Sequence, residues 1–139
     1  MKLLALLLAA IPALPQTPAS TLQCPAAITV TETPSAPGGW RSADGKSHRP
    51  FERISIYNGH EGGREFELAP TGQKENGTQI TQTWTLKAYR DMNLFLRCRY
   101  RDTAAVLSID IPSSIAVCTF IFDLAPGGRI VGKPTMTCK

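Results

Sequence analysis

Residues 80–123, ITQTWTLKAYRDMNLFLRCRYRDTAAVLSIDIPSSIAVCTFIFD, decide the fold of this chain. Four segments of this stretch alternate apolar and polar residues with the period of two that is typical of half-buried β-strands. Turn-forming residues at 101–103 and 112–114 separate consecutive segments, which predicts a meander of short antiparallel hairpins. The predicted strands are 80–86, 94–100, 105–111 and 116–122.

Shorter alternating segments on both sides of this stretch predict additional strands. The sequence therefore predicts an all-β fold, a small antiparallel sandwich or partly open barrel of about seven or eight short strands stabilised by disulfides. The additional strands are 21–33, 53–57, 65–68 and 129–138.

The remaining segments are interpreted as loops and turns. Residues 41–50 and 69–77 are polar and lack periodicity, which is typical of surface loops. Asn58-Gly59 is a tight-turn signal before a glycine-rich loop at 60–64, and the return strand is expected to point Phe66 inward. Trp40 is expected to pack against the rim of the core, with ligand stacking as the alternative.

The N-terminal sequence MKLLALLLAAIPAL has one lysine followed by a short apolar run, which is the pattern of a secretory signal peptide. We interpret residues 1–20 as that signal peptide and residues 21–139 as a single β domain. The prediction is an exported protein, periplasmic or secreted, without a transmembrane segment after signal removal. The alternative is an N-terminal membrane anchor.

The charge of the chain is mildly basic. Fifteen Lys and Arg residues against eleven Asp and Glu residues give a formal net charge of +4. Loss of Lys2 with the signal peptide reduces this by one. A balance this small does not indicate a nucleic-acid partner.

Four cysteines in an exported chain favour two disulfides over a metal site, because the exterior is oxidising and no C-x-x-C motif is present. Pairing Cys98 with Cys118 is disfavoured if their strands flank the one at 105–111, because two strand spacings are about 10 Å. A hairpin at 125–128 would bring Cys118 near Cys138. That pairing, with Cys24 to Cys98, is slightly favoured.

The most distinctive polar pattern is a row of arginines on one predicted strand. Arg97, Arg99 and Arg101 occupy alternate positions, and Phe95 shares their parity. Such a row can meet carboxylates or phosphates, and arginine beside an exposed aromatic residue is enriched at protein interfaces. We interpret these four residues as a candidate surface for an envelope or secreted protein partner, with a solvated strand face as the alternative.

No arrangement of residues along the chain indicates catalysis. His60, Glu61 and Glu65 form the only local group with acid-base or metal-ligand side chains, and no ligand spacing connects them. The motif G-x-S-x-G is absent, and all four cysteines are assigned to disulfides. The prediction is therefore a non-enzymatic protein with no catalytic residue, no metal and no cofactor. A hydrolase whose carboxylates meet only in the fold is the weaker alternative.

A family resemblance covers nearly all of the chain after residue 20. The order Cys24-Pro25, Gly39-Trp40, ISIYNG, ELAP, QTWTL, FLRCRY and LSIDIP before Cys118 resembles the STY0301 family of small exported bacterial proteins. That resemblance implies an exported bacterial β-domain and supplies no catalytic residues. The segment 58–61 departs from the turn of that family.

The functional hypothesis is a non-enzymatic protein-binding module of the cell envelope. One alternative is an inhibitor or immunity-type protein that blocks a cell-wall hydrolase, because small disulfide-linked β-domains suit that task without an active site. Binding to a flat patch and catalysis in a carboxylate-lined cleft are the two geometries that separate these hypotheses.

Overall fold

The computed structural model describes residues 22–139. Within them the regular structure is almost entirely β, which confirms the predicted fold class. One 3₁₀ turn at Lys87–Tyr89 is the helical part of these residues, and it is too short to cross a membrane. The predicted signal peptide lies outside the described residues. The nine strands are β1 (Ala27–Glu32), β2 (Gly45–Gly59), β3 (Glu65–Leu68), β4 (Gly72–Asn76), β5 (Gln79–Thr85), β6 (Leu94–Tyr100), β7 (Val106–Asp110), β8 (Val117–Leu124) and β9 (Ile130–Cys138).

The strands form two antiparallel sheets with a half-barrel. The first sheet has the order β1-β2-β6-β7, and β3 also pairs with β2. The second sheet has the order β4-β5-β8-β9. The long strand β2 organises the first sheet, because β1 and β3 pair with its two halves along one edge and β6 pairs along the other.

The main core lies between the two sheets. Ile56 and Leu96 of the first sheet are fully buried, and Trp84 and Phe120 of the second sheet expose 3% and 2% of their surface. The ring centroids of Phe51 and Phe120 are 6.1 Å apart across the interface. The indole nitrogen of Trp84 donates a hydrogen bond of 3.0 Å to the Leu68 carbonyl, so the core tryptophan also ties β5 to the end of β3.

Two disulfides join Cys24 to Cys98 and Cys118 to Cys138, which confirms the favoured pairing. The first anchors the segment before β1 on β6. The second links directly paired positions of β8 and β9. The premise used against a Cys98–Cys118 bond was wrong, however, because these two residues lie in different sheets.

The predicted meander is also wrong, although the strand positions within 80–123 agree with the structure. The chain forms the hairpins β6–β7 and β8–β9 but crosses between the sheets after β5 and after β7. The 3₁₀ turn carries the first crossing. The second crossing begins at Pro112, directly after the hydrogen bond from Ile111 N–H to the Leu94 carbonyl at the end of the ladder with β6. The alternation of polar and apolar residues indicates which face of a strand is buried, but it does not indicate which sheet the strand joins.

Several predicted loops and orientations are corrected by the structure. Residues 45–50 are the first part of β2, and residues 72–76 form β4. These strands read as loops because they are exposed on nearly all sides and lack an apolar face. Asn58-Gly59 continues β2, so the turn is at 60–64. Phe66 and Trp40 are 59% and 77% exposed instead of packed against the core.

Candidate protein-binding surface

Arg97 lies at the centre of a small buried cluster on the face of the first sheet that points away from the main core. Its Nη1 and Nη2 donate hydrogen bonds of 2.8 and 2.9 Å to the two carboxylate oxygens of Glu65. Its guanidinium carbon is 4.6 Å from the centroid of the Tyr57 ring and 5.1 Å from that of Phe95. These two rings stack at 5.5 Å. We call Tyr57, Glu65, Phe95 and Arg97 the Arg97 cluster.

The electrostatics of the Arg97 cluster keep both partners charged. Hydrogen bonds from Arg97, followed by one from the Gly62 backbone N–H, lower the pKa of Glu65 below its ordinary value. The hydrogen bonds to Glu65 raise the pKa of Arg97. A planar guanidinium held by two parallel hydrogen bonds and two aromatic faces has a fixed orientation. Arg97 and Glu65 thus form an ion pair inside the protein, flanked by the two aromatic rings.

Residues 60–64 form a strap that crosses this face from β2 towards β7. The Ser108 hydroxyl of β7 donates a hydrogen bond of 2.7 Å to Glu61, whose carboxylate also lies 3.8 Å from Arg97. The strap starts at Gly59, where φ is +127° and an added Cβ would lie 2.2 Å from the Arg64 carbonyl oxygen. Only glycine fits there, because a side chain would collide with the backbone of the strap.

The structure changes the interpretation of the four residues predicted to bind a partner. Phe95 and Arg97 expose only 4% and 9% of their surface, so the expected exposed aromatic and exposed guanidinium row are wrong. Arg99 is half-buried, with Nη2 3.5 Å from the Tyr57 hydroxyl. Arg101 follows β6 and donates to the Ile130 carbonyl of the second sheet. The three arginines therefore have three different partners, and their role in binding stays a prediction.

Sequence reasoning missed the two glutamates of β3 that lie on the same face as these arginines, of which Glu65 pairs with Arg97. Glu65 and Glu67 alternate along β3, as the arginines alternate along β6, and both point to the same face. Glu67 accepts hydrogen bonds from Ser55 and Tyr57 at 2.6 and 3.2 Å. The sequence signal was this shared period of two in the glutamates of β3 and the arginines of β6. It indicates that they can meet only when β2 is known to lie between the two strands.

A cleft of about 530 Å³ opens beside the strap, at the end of the first sheet. Its charged side chains are three acids and one base, and Met92 adds an apolar surface that is 48% exposed. His60 and Glu61 lie here, but Glu65 belongs to the Arg97 cluster. Residues 22–139 contain no group of three or more His, Cys, Asp or Glu that could hold a metal ion. The charged residues are Glu61, Arg90, Asp91 and Asp110.

The cleft adjoins strand β7, which among residues 22–139 pairs only with β6 and ends the first sheet. Leu107 and Ile109 of this strand are 42% and 40% exposed. Exposed apolar side chains beside an acidic rim are a composition suited to contact with another protein. We therefore define the candidate surface as the cleft together with β7, and call it the cleft corner.

The sequence profile of the family described as "Type VI secretion system Tli immunity protein" matches residues 45–139, a span that contains β2 to β9. The chain is also similar to the "Uncharacterized 16.3 kDa protein in trpG 5'region" of Azospirillum brasilense, with 32% identity over 121 residues, 84% of this chain and 81% of the relative. No solved structure gives a significant match. The resemblance to the STY0301 family is not confirmed by these matches.

Proposed function

This chain belongs to the Type VI secretion system Tli immunity protein family, and from that premise we propose that it binds an effector protein of such a system and neutralises it. The observation that carries the proposal is the match over residues 45–139, because it includes every strand that forms the cleft corner. An immunity protein acts by occupying its target, so the proposed role requires no catalysis by this chain.

The internal pairing of charges supports a binding scaffold. An enzyme holds its acid or base where substrate can reach it, whereas the strongest ion pair here is buried and bidentate. Arg97 and Glu65 instead fix the strap that walls the cleft. A rigid wall favours tight association, because little conformational entropy is lost when a partner binds.

The proposed compartment is the periplasm. Both disulfides consume all four cysteines, and such bonds persist in oxidising compartments outside the cytoplasm. The predicted signal peptide at residues 1–20 supports the same compartment. Immunity would thus act where an effector arrives from outside the cell.

The proposed contact surface is the cleft corner. Glu61, Asp91 and Asp110 make its rim acidic, although the chain as a whole is basic. Complementary charge increases the rate of encounter, and apolar contact at the centre of an interface slows dissociation. The expected effector surface therefore presents basic side chains around an apolar contact that covers Met92.

The test uses candidate type VI effectors encoded in the same genome as this chain. Each is expressed in the periplasm of a bacterial host, with and without the full chain, and growth is measured. We expect the chain to restore growth against one effector and to form a stable complex with it in titration calorimetry. Failure to protect against every effector, or protection without a complex, would contradict the proposal.

A further inference from the structure

Strand β7 is an edge strand whose outer side is open. Its five residues pair with β6 in unbroken register, from Val106 opposite Arg99 to Asp110 opposite Phe95. Among residues 22–139 no strand pairs with its other side. An open edge of this kind is a template for another extended chain.

The hydrogen-bonding pattern shows which backbone groups are open. Ile111 N–H donates to the Leu94 carbonyl at 2.8 Å, so this pair exchanges hydrogen bonds across the ladder. Bonded and non-bonded pairs alternate in an antiparallel ladder. The backbone N–H and C=O groups of Leu107 and Ile109 therefore also point towards β6. Those of Val106, Ser108 and Asp110 point to the open side.

The edges of the second sheet, β4 and β9, carry features that discourage pairing, whereas β7 has one charged residue, Asp110, and neither a proline nor a register shift. Strand β4 has the sequence GQKEN, and all five residues are exposed. Strand β9 contains Lys133, Pro134 and a glycine at φ +70°, and its register with β8 shifts. Charge, proline and irregular register are the features that protect natural edges from other chains. The edge β1 keeps its apolar Ile28 packed against the core.

The side chains of β7 continue the main core to the open edge. Leu107 and Ile109 lie opposite Cys98 and Leu96, which expose 4% and 0% of their surface. A further strand would bring apolar side chains beside Leu107 and Ile109 and extend this layer. On the opposite face, exposed Asp110 and the Glu61 carboxylate give the edge a negative charge.

We propose that β7 receives an extended segment of the effector as an additional strand of the first sheet. The partner segment has alternating residues, with apolar side chains beside Leu107 and Ile109 and a lysine or arginine beside Asp110. This inference rests on the proposed function and specifies how the effector is bound. Main-chain hydrogen bonds supply affinity in such strand addition, and alternate side chains supply specificity.

The decisive comparison is Ser108→Pro against Ser108→Ala in the full chain, with the effector identified by the protection assay as the probe. Both variants lose the hydroxyl bond to Glu61. Only proline also removes the N–H that points to the open edge, while the ladder with β6 keeps its donors. We expect Ser108→Pro to bind at least about tenfold more weakly than Ser108→Ala, the effect of one lost hydrogen bond.

A second measurement, hydrogen exchange on the unmodified protein, does not depend on folding of the proline variant. We expect the amides of Ser108 and Asp110 to exchange more slowly in the effector complex than in the free protein. Unchanged exchange at both amides, or equal affinity of the two folded variants, would overturn strand addition while the proposed function stands.

Two further outcomes have different meanings from these. If the unmodified chain binds no effector, the proposed function itself fails. If sedimentation shows that the free chain is a dimer that Ser108→Pro dissociates, the occupant of the edge is a second copy of this chain, and the assignment to the effector is overturned.

Discussion

Strands β6 and β7 are neighbours in one sheet, yet the outer face of β6 is covered by other side chains whereas β7 lies at the open edge of the sheet. On β6, Arg97 is buried, bonded twice to Glu65 and covered by the strap. On β7, Leu107 and Ile109 are 42% and 40% exposed, and no strand of the described residues 22–139 pairs with the outer side of its backbone. The central arginine of β6 forms its ion pair inside the protein, whereas the backbone edge of β7 is open.

The contrast between the two strands shows which features indicate a partner surface. A buried arginine must be paired, so a dense charge pattern on a strand can indicate an internal network. Unpaired backbone and exposed apolar side chains are better indicators of contact, because association satisfies both. Substitutions on the two strands can separate the structural role of β6 from the proposed binding role of β7.

The largest expected effect on the free energy of unfolding comes from removing the Cys24–Cys98 disulfide, which joins β6 to the N-terminal segment. The Cys24–Cys98 disulfide spans 74 residues and the Cys118–Cys138 disulfide spans 20. In the chain-entropy account, replacing both cysteines of the first pair with serine costs about 4 kcal/mol, against about 3 kcal/mol for the second pair. Urea unfolding measures both. A larger loss for the second pair would show that β6 is not the more strongly anchored strand.

Removing the cation of the Arg97 cluster is expected to have the next largest effect. Arg97→Ala leaves Glu65 without its partner and removes the stacking on two rings, at a cost of about 2 to 3 kcal/mol in the free energy of unfolding. The side chains of this pair are only 11% and 18% exposed, so solvent replaces little of the loss. Urea denaturation of the purified variant measures it.

Arg99→Ala is the matched control on the same strand face. Arg99 has one long contact to Tyr57, so we expect a change below about 1 kcal/mol. Equal losses for the two variants would mean that both arginines contribute in the same way, and the distinction made for Arg97 would be lost.

Lowering the pH is expected to have a smaller effect on the free energy of unfolding, through protonation of Glu65. Because its folded pKa lies below the ordinary 4.5, ionised Glu65 stabilises the fold fully above that pH. The contribution is lost as the pH falls through the lower folded value. The stability difference between the parent and Glu65→Gln should thus be largest near neutral pH and should shrink on acidification. Denaturation series over this range measure it, and a pH-independent difference would contradict the ionic contribution.

Much of the fold was predictable because alternation reports burial directly. The strands in 80–123 agree with the structure, since apolar parity around Cys98 and Cys118 reflects real core faces. The Cys118–Cys138 disulfide was predictable because the hairpin at 125–128 brings β8 beside β9. The crossings between sheets and the exposed strand β4 were not predictable. Sheet membership depends on contacts far apart in sequence, and a strand exposed on both faces has no alternation to detect.

The candidate surface was less predictable than the fold. Arg97 and Phe95 were placed on the correct face, but their burial depends on the strap and on Glu65 from a distant strand. The open edge of β7 follows from the strand order of the first sheet within residues 22–139, and no local sequence pattern indicates that order. Leu107 and Ile109 have the alternation of half-buried strand residues, and they continue the core layer of β6 although they are 42% and 40% exposed.

The smallest effect is expected from one charge at the edge of the cleft corner. Asp110→Asn keeps the size of the side chain and removes its negative charge, so the free energy of unfolding should change by less than about 0.5 kcal/mol. The association rate with the effector should fall by up to about tenfold at low salt, because long-range attraction to a basic partner is reduced. At high salt the two rates should converge, since exposed charges are screened.

Asp102→Asn supplies the control for that measurement. Asp102 is exposed in the β6–β7 turn at φ +53°, a conformation that asparagine also adopts readily, and it does not line the cleft. Both substitutions change the net charge equally, so a general effect of charge would slow association equally. If only Asp110→Asn slows it, the partner approaches β7 at its Asp110 end, where the open backbone meets the acidic rim. Equal rates for both variants would instead place the encounter away from the cleft corner.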